Sequence, residues 1–355
     1  MSKAAELAAL IGSQSALSHR NFVINGAMTI HQRGGSISAT GFPVDRFGIT
    51  EQTSATFTGE QSTTAPTGFT NSLLITIGTG ASATSTQYAI IAENIEGNNI
   101  ARLGFGASGA KNVTLSFWVR SSVTGTFCAS IKNSAANRVY IMEYTISVAD
   151  TWEYKTLTFP GDTTGTWLTD NGIGIRLAFD LGSGSGTPTG AENSWITTNA
   201  TRTSNQTDFV SNSGATFYLT GVQLEVGEQA TPFEHRSYGD ELARCQRYYR
   251  KIGPSETSSN MPLISGGTYD TTQFQATYTC EDMRTQPTLE TSGTAGDYQV
   301  YSTGGKTVTA VPALDSNSEP AALDIRVNIT GATAGQYAWL RTTNTTAYLA
   351  FDAEL

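Results

Sequence analysis

Alternation of apolar and polar residues with a period of two is the feature that most constrains this fold. In residues 113–120 (VTLSFWVR) the odd positions are apolar, and residues 173–179 repeat the pattern. A period of two is typical of a strand with one buried face. Residues 151–159 form another strand candidate. Many short strands with no long helical stretch predict an all-β fold, with a two-sheet β-sandwich over residues 21–236.

The alternation changes phase once within a single strand candidate. In residues 217–226 (FYLTGVQLEV) the apolar positions are odd before Thr220 and even after Gly221. One extra residue in a strand restores the inward direction of the side chains that follow it. We therefore predict a β-bulge at Thr220–Gly221.

A helical period replaces the strand period after residue 236. Ser237 resembles an N-cap, with Asp240 three residues later, and Gly253 followed by proline favours a stop. One apolar stripe has helical spacing and consists of Tyr238, Leu242, Cys245 and Tyr249. We predict a helical neck over residues 237–253. Because a thin neck cannot bury this stripe alone, we predict that it forms an oligomer interface.

The strand pattern resumes after the neck, and the remaining residues suffice for a second, smaller β-sandwich. Strand candidates are residues 268–280, 298–301, 306–310, 322–329 and 347–354. The predicted organisation is a docking segment, a sandwich, the neck and a C-terminal β domain, over residues 1–20, 21–236, 237–253 and 254–355.

The first segment has a short apolar stripe of its own. Leu7, Leu10 and Ile11 would share one face of a helix that ends at Gly12. Such a helix is too short to be stable alone in water, so it must dock on something. A frayed terminus is the alternative interpretation.

Composition excludes several partners. Charged residues make up 14% of the chain, the net charge is −9, and no run of Lys or Arg occurs, which disfavours nucleic acid. No apolar stretch approaches the length of a membrane helix, and the N-terminus does not resemble a secretion signal. We expect a protein made in the cytoplasm, without membrane insertion, that reaches the exterior by another route such as lysis.

Metal and cofactor motifs are not found in the sequence. Cys128, Cys245 and Cys280 are far apart, which fits neither a disulfide framework nor a zinc site. The three histidines are also dispersed, and neither a nucleophile elbow nor a P-loop occurs. We expect no cofactor and assign no catalytic residue and no metal ligand.

Carboxylates in the middle of the chain leave three interpretations open. They are Asp162, Asp170, Asp180 and Glu192. Two carboxylates roughly 5–10 Å apart could hydrolyse a glycoside. The same residues could hold a structural calcium ion, which takes oxygen ligands on loops, or simply form Asx turns.

Tryptophans offer a candidate sugar site. Trp167 and Trp195 lie in polar stretches rich in Gly, Thr and Asn, and Asp170 and Asn171 stand near Trp167 in the sequence. A flat apolar ring beside planar polar groups suits a sugar, so we predict carbohydrate binding by these four residues. Packing of both rings between subunits is the alternative. Trp118 falls on the polar face of its strand and would meet solvent or a partner chain.

Two blocks resemble virion proteins of tailed bacteriophages, especially marine phages. The first is NFVINGAM at 21–28 with QRG at 32–34 and DRF at 45–47, and the second runs from GVQLEVG at 221–227 to CQRYY at 245–249. Residues 115–120 and 151–153 resemble strands of carbohydrate-binding jelly rolls, and the final residues 350–355 also resemble these phage proteins.

This resemblance implies a non-enzymatic fibre or spike on the virion surface. It implies a jelly-roll sandwich, a homotrimer, and contacts with other virion proteins, to which Leu7, Leu10 and Ile11 would dock. Host surface polysaccharide is the expected external partner. A capsid-surface head fibre or decoration protein is one alternative, and a polysaccharide depolymerase is another. A free bacterial carbohydrate-binding module is a third, against which the missing secretion signal counts.

Overall fold

The computed structural model describes residues 19–254 and 259–355 and divides the chain into two compact units. The N-terminal unit extends to Glu241 and takes in Leu355, and the C-terminal unit is Leu242–Glu354. The predicted docking residues Leu7, Leu10 and Ile11 lie outside the described residues. No helix in the described ranges has the length and apolar character needed to cross a membrane.

The N-terminal unit is a jelly-roll β-sandwich, which confirms the predicted fold class. Its strands are β1 (Gly41–Val44), β2 (Phe47–Glu51), β3 (Phe57–Ser62), β4 (Ser72–Ile77), β5 (Tyr88–Glu96), β6 (Val113–Ser121), β7 (Gly125–Lys132), β8 (Val139–Ile146), β9 (Glu153–Phe159), β10 (Ile173–Ser183), β11 (Trp195–Ile196) and β12 (Thr216–Val226). One sheet has the order β1-β2-β5-β10-β7-β8-β11 and the other β3-β4-β12-β6-β9. The short helix α1 (Gly97–Ile100) and 3-10 turns at Ala101–Leu103 and Phe209–Ser211 lie between strands.

The core fills the space between the two sheets. The odd residues of β6, from Val113 to Val119, are fully buried, as the alternation predicts. Phe117 of β6 packs edge-on against Phe179 of β10 in the opposite sheet, with ring centroids 5.1 Å apart. Even residues of β6 therefore face away from this core.

The predicted bulge is confirmed in β12. Its register against β6 shifts between Thr220 and Gln223. Gly221 has φ 63°, in the left-handed region that glycine adopts without steric cost. The shift lets both Leu219 and Val222 point into the core, where each is fully buried.

The predicted helical neck is only half correct. Helix α2 (Tyr238–Gln246) begins after Ser237, whose Oγ accepts a hydrogen bond from the Asp240 amide at 3.2 Å. It ends seven residues before Gly253, because Tyr249–Ile252 forms strand β13 and pairs with Leu349–Asp352. The aromatic Tyr249 favours a strand.

This change also corrects the predicted oligomer stripe. Cys245 and Tyr249 are 0% and 2% exposed within one chain, so neither is available to another subunit. Leu242 is half-buried, and Tyr238 is 65% exposed.

The C-terminal unit is also built from antiparallel strands. They are β13 (Tyr249–Ile252), β14 (Pro262–Thr268), β15 (Gln273–Thr279), β16 (Thr288–Thr291), β17 (Tyr298–Tyr301), β18 (Gly305–Val308), β19 (Ala313–Leu314), β20 (Ala322–Thr330), β21 (Tyr337–Thr342) and β22 (Leu349–Asp352). The sheet β15-β14-β21-β17-β18-β20-β19 closes on itself because β15 also pairs with β20. The second sandwich expected from the sequence therefore consists of one closed sheet and the smaller sheet β13-β22-β16. Both sheets contribute to one apolar cluster.

Candidate functional site

The predicted sugar-binding tryptophans lie together but are packed inside the sandwich. The rings of Trp167 and Trp195 meet edge to face at 5.6 Å between centroids, and Phe105 lies 4.8 Å from Trp167. Trp167 is only 7% exposed and belongs to the main core. Because sugar stacking requires an open ring face, the prediction that Trp167 binds a sugar is corrected to a packing role.

Trp195 is held in place by a hydrogen bond and by the Arg138–Asp162 ion pair. Its indole Nε1 donates to the Pro160 carbonyl oxygen at 3.2 Å, and the Arg138 guanidinium lies 5.6 Å above its ring. Arg138 donates two hydrogen bonds of 2.7 Å to Asp162, which also accepts from Trp167 Nε1 at 3.2 Å. Burial opposes ionisation of Asp162, but the hydrogen bonds and charge of Arg138 hold its pKa below the ordinary value. The half-buried Trp195 is thus part of a structural cluster.

Asp170 and Asn171 are exposed beside this cluster in sequence. Asp170 accepts a hydrogen bond from the Gly172 amide at 2.8 Å, which is an Asx turn. Its backbone carbonyl accepts from the Asn98 amide at 2.7 Å. Asp170 therefore shapes the turn that leads into β10.

The carboxylates considered for catalysis or calcium are engaged by the fold. Asp180 is fully buried and accepts from the Gly182 amide and from Ser183 Oγ at 2.9 and 2.7 Å. Burial raises the pKa of Asp180 despite these bonds. Glu192 accepts from the Glu143 amide at 3.4 Å. Within residues 19–254 and 259–355, no three His, Cys, Asp or Glu side chains are grouped to hold a metal ion.

The stretch that contains Trp195, residues 183–205, covers the outer face of the seven-stranded sheet. Lys132 Nζ donates to Asn199 Oδ1 at 3.0 Å, and Thr201 donates to Asp180 at 2.6 Å. Burial lowers the pKa of Lys132 to about 8. The polar side chains of this loop thus satisfy buried groups of the sheet.

Exposed aromatic residues lie instead on the outer face of the five-stranded sheet. Trp118 of β6 stands directly opposite Tyr154 of β9, with ring centroids 5.3 Å apart. Tyr154 is 45% exposed, and Trp118 is half-buried. Their direction follows from the alternation, because the neighbouring Phe117 and Val119 fill the core.

A second pair of rings lies on the same face. Trp152 contacts Tyr218 of β12 with centroids 6.0 Å apart, and the Arg120 guanidinium lies 5.0 Å above the Tyr218 ring. Arg120 stands opposite Tyr218 in the strand register and donates to the Asp150 carbonyl oxygen at 2.9 Å. The side chains of Trp152, Tyr218 and Arg120 are all half-buried. We call the set Trp118, Trp152, Tyr154, Tyr218 and Arg120 the aromatic face.

The bulge makes room for this face. A Cβ atom at Gly221 would lie 3.1 Å from Trp118 Cδ1 and 2.7 Å from Cζ of Phe69. Any larger residue there would displace one of the two rings. Trp118 occupies an even, otherwise polar position of its strand, and this is the sequence signal that points to this surface.

The aromatic face combines two kinds of surface that suit a sugar. Its rings offer flat apolar area, and Tyr hydroxyls and the Arg120 guanidinium offer hydrogen bonds at their edges. Thr156, two residues beyond Tyr154 on β9, adds an exposed hydroxyl. This arrangement can bind a glycan without performing chemistry on it.

The sequence blocks at residues 21–28 and 221–249 meet in a buried polar cluster. The backbone N–H of Asn21 donates to Glu234 at 2.7 Å, and the backbone N–H of Asn25 donates to Glu241 at 2.6 Å. Arg236 donates to the carbonyl oxygens of Asn21 and Val23 at 2.5 and 3.1 Å. We call Asn21, Asn25, Glu234, Arg236 and Glu241 the clasp. These motif residues fasten the start of the described chain to the sandwich.

No protein-family model matches the sequence, and no curated protein sequence matches it either. Among solved structures, the enzymatically active domain of a tailspike from bacteriophage CBA120 is 14% identical, with a TM-score of 0.33 over 58% of this chain and 21% of that one. The match therefore spans about a fifth of the tailspike domain's length.

Two further matches cover almost all of a smaller protein. A family 11 carbohydrate-binding module from Clostridium thermocellum is 14% identical, with a TM-score of 0.29 over 56% of this chain and 98% of the module. A putative sugar-binding protein from Bacteroides thetaiotaomicron is 11% identical, with a TM-score of 0.31 over 59% of this chain and 100% of that protein. Similarity at this level assigns neither a ligand nor an activity to the chain.

Proposed function

We propose that this chain is a non-enzymatic attachment protein that binds glycan through its aromatic face and is carried on a tailed-phage virion as a fibre or spike. The observation that carries the proposal is the row of rings on the outside of the five-stranded sheet. Trp118 and Tyr154 form one pair there, and Trp152 and Tyr218 the other.

A glycan fits this face better than a protein partner does. The rings stand on paired strands, and the Arg120 guanidinium is already held by Asp150 and Tyr218. Groups fixed before binding lose little conformational entropy when a ligand arrives. Polar groups also lie between the rings, where they can form hydrogen bonds with sugar hydroxyls.

The virion role is supported by the resemblance of the two sequence blocks that form the clasp. In this proposal residues 1–18 lead from the clasp to other virion proteins, where Leu7, Leu10 and Ile11 dock. Three chains assemble as a homotrimer, so that three aromatic faces gain avidity on a host surface with a repeated epitope. A solution mass three times that of one chain is expected, and a monomer at micromolar concentration contradicts this part. Electron microscopy of labelled particles separates a tail fibre from a head fibre or decoration protein.

The non-enzymatic part of the proposal is supported by the engagement of the candidate carboxylates. Asp162 is paired with Arg138, and Asp180 is buried beneath the loop that holds Thr201. Both side chains are also buried in the fold.

One experiment tests binding and catalysis together. The full-length protein is incubated with purified surface polysaccharide of the host, and polymer in the bound fraction is measured together with its chain length. We expect the polysaccharide to co-sediment with the protein and to keep its length. Shortened polymer would identify a depolymerase, and a protein that never co-sediments would overturn the proposal.

A further inference from the structure

The C-terminal unit contains a pocket of about 480 Å³ on the closed sheet. Its lining combines two carboxylates, a guanidinium, side-chain amides and a hydroxyl, contributed by Asp315, Asp324, Arg326, Asn317, Gln275 and Thr277. A volume in the range of about 300–1,000 Å³ is common for small-molecule sites.

The two carboxylates, the guanidinium and the hydroxyl of this pocket are held by one another before any ligand arrives. Asp315 forms an ion pair with Arg326 and accepts a hydrogen bond from the backbone N–H of Asn317 at 3.0 Å. Thr277 donates its hydroxyl to Asp324. The Asp315 side chain is 5% exposed, whereas that of Arg326 is 45% exposed, so the guanidinium remains accessible.

A row of aromatic residues, of which Tyr337 is exposed and Trp339 and Tyr301 are half-buried, stands on neighbouring strands of the same sheet. Tyr337 is 68% exposed, its ring lies 6.0 Å from that of Trp339, and Trp339 lies 5.2 Å from Tyr301. Tyr337 and Trp339 face outward, because Ala338 and Leu340, which alternate with them on β21, are fully buried.

Strand register connects the rings to the pocket. Tyr337 pairs with Gly267, Gly267 with Gln275, and Gln275 with Arg326. Neighbouring strands lie about 4.8 Å apart, so Tyr337 is roughly 10 Å from the Gln275 edge of the pocket. Gly267 has no side chain, so the sheet surface between Tyr337 and the pocket is unobstructed. A Cβ atom at Gly267 would meet only the Gln336 carbonyl oxygen, at 3.5 Å.

We infer that the C-terminal unit carries a second saccharide site, which runs from the Tyr337 ring across Gly267 into the pocket and takes a neutral oligosaccharide. Sugar hydroxyls both donate and accept, so they can satisfy the carboxylates and the guanidinium together. An anionic ligand would be repelled by Asp315 and Asp324, and an aliphatic one would leave these polar groups unsatisfied. The site uses residues of this unit alone and goes beyond the aromatic face of the N-terminal unit.

The test uses the full-length chain with Trp118→Ala and Tyr154→Ala already introduced, so that the N-terminal aromatic face is disabled. The probes are neutral tri- to hexasaccharides of glucose, galactose, mannose and N-acetylglucosamine, screened by ligand-observed NMR. The site variant adds Tyr337→Ala and Asn317→Ala to this background. The control adds Tyr269→Ala and Asn328→Ala instead. Tyr269 is 68% exposed, the same as Tyr337, and Asn328 is exposed on the strand that holds Arg326.

We expect at least one probe to bind the background protein, to lose about tenfold or more in affinity in the site variant, and to bind the control unchanged. Melting temperatures of all three proteins should agree, because each replaced residue of the C-terminal unit is exposed. Binding by none of the probes, or equal binding by the site variant and the control, would overturn the inference. Because the background protein already lacks Trp118 and Tyr154, neither outcome depends on whether the aromatic face of the N-terminal unit binds glycan.

Discussion

Arg236 donates a hydrogen bond of 2.5 Å to the carbonyl oxygen of Asn21, joining positions that are 215 residues apart in the chain. The Arg236 side chain is 5% exposed and also pairs with Glu241 at 3.3 Å. One buried network of contacts therefore joins the sequence block at residues 21–28 to the block at residues 221–249.

Replacing Arg236 by Met should destabilise the N-terminal unit by about 3 kcal/mol, because breaking a buried ion pair leaves a charge and two carbonyl groups unsatisfied. Urea unfolding followed by tryptophan fluorescence measures the effect. Lys111→Met is the matched control at an exposed cation and should change little. Equal unfolding midpoints for the two variants would show that the clasp contributes nothing.

Trp167→Ala should lower stability by about 3–5 kcal/mol, as expected for removal of a large core side chain. The folded fraction should bind glycan as the wild type does, because the Trp167 ring is 7% exposed. Thermal melting and polysaccharide binding on the same sample measure both quantities. Unchanged melting with lost binding would restore the sugar-binding role first predicted for this residue.

The strands of the sandwich were predictable because burial of one sheet face imposes a period of two. The bulge at Thr220–Gly221 was predictable for the same reason, since only one extra residue returns Leu219 and Val222 to the same core. The end of the helix at Gln246 was not predictable, because Tyr249 has helical spacing but also suits a strand. Its partner strand, Leu349–Asp352, lies a hundred residues away in sequence.

The site was less predictable than the fold. Polar surroundings in the sequence suggested an open Trp167, yet the distant Phe105 and Arg138 cover that region. Conversely, Tyr218 and Trp152 come together only through sheet pairing that local sequence does not specify. Exposure of a ring depends on such long-range neighbours more than on the residues beside it.

Glu93 should make stability depend on pH. Burial raises its pKa to about 8, although Arg46 acts in the opposite direction, and its Oε2 has no hydrogen-bond partner within the described chain. A folded pKa above the unfolded value means that Glu93 favours the folded state most below pH 4.5. This contribution is lost as pH rises through about 8.

Glu93→Gln should therefore gain stability relative to the wild type as pH rises from 5 to 9, because glutamine does not ionise. Its side-chain carbonyl oxygen can still accept the hydrogen bond that the Ile24 backbone N–H donates to Glu93 Oε1 at 2.8 Å. Urea midpoints of both proteins across that pH range measure the difference. Parallel pH profiles would contradict a raised Glu93 pKa.

Deleting residues 1–18 should leave the sandwich folded but prevent incorporation into phage particles. The clasp begins after the deletion, where the His19 amide donates to Glu234 at 2.8 Å. Melting of the purified protein and immunodetection in assembled particles measure the two effects. Normal incorporation of the shortened chain would place the virion anchor elsewhere.

The central claim is that the aromatic face binds glycan, and the affinity of a Trp118→Ala, Tyr154→Ala double variant for host polysaccharide tests it most directly. Biolayer interferometry should show binding weaker by about tenfold or more, which corresponds to about 1.4 kcal/mol. Val226→Ala, an exposed apolar position on the same sheet, should bind as the wild type does. Wild-type affinity in a folded double variant would contradict the claim.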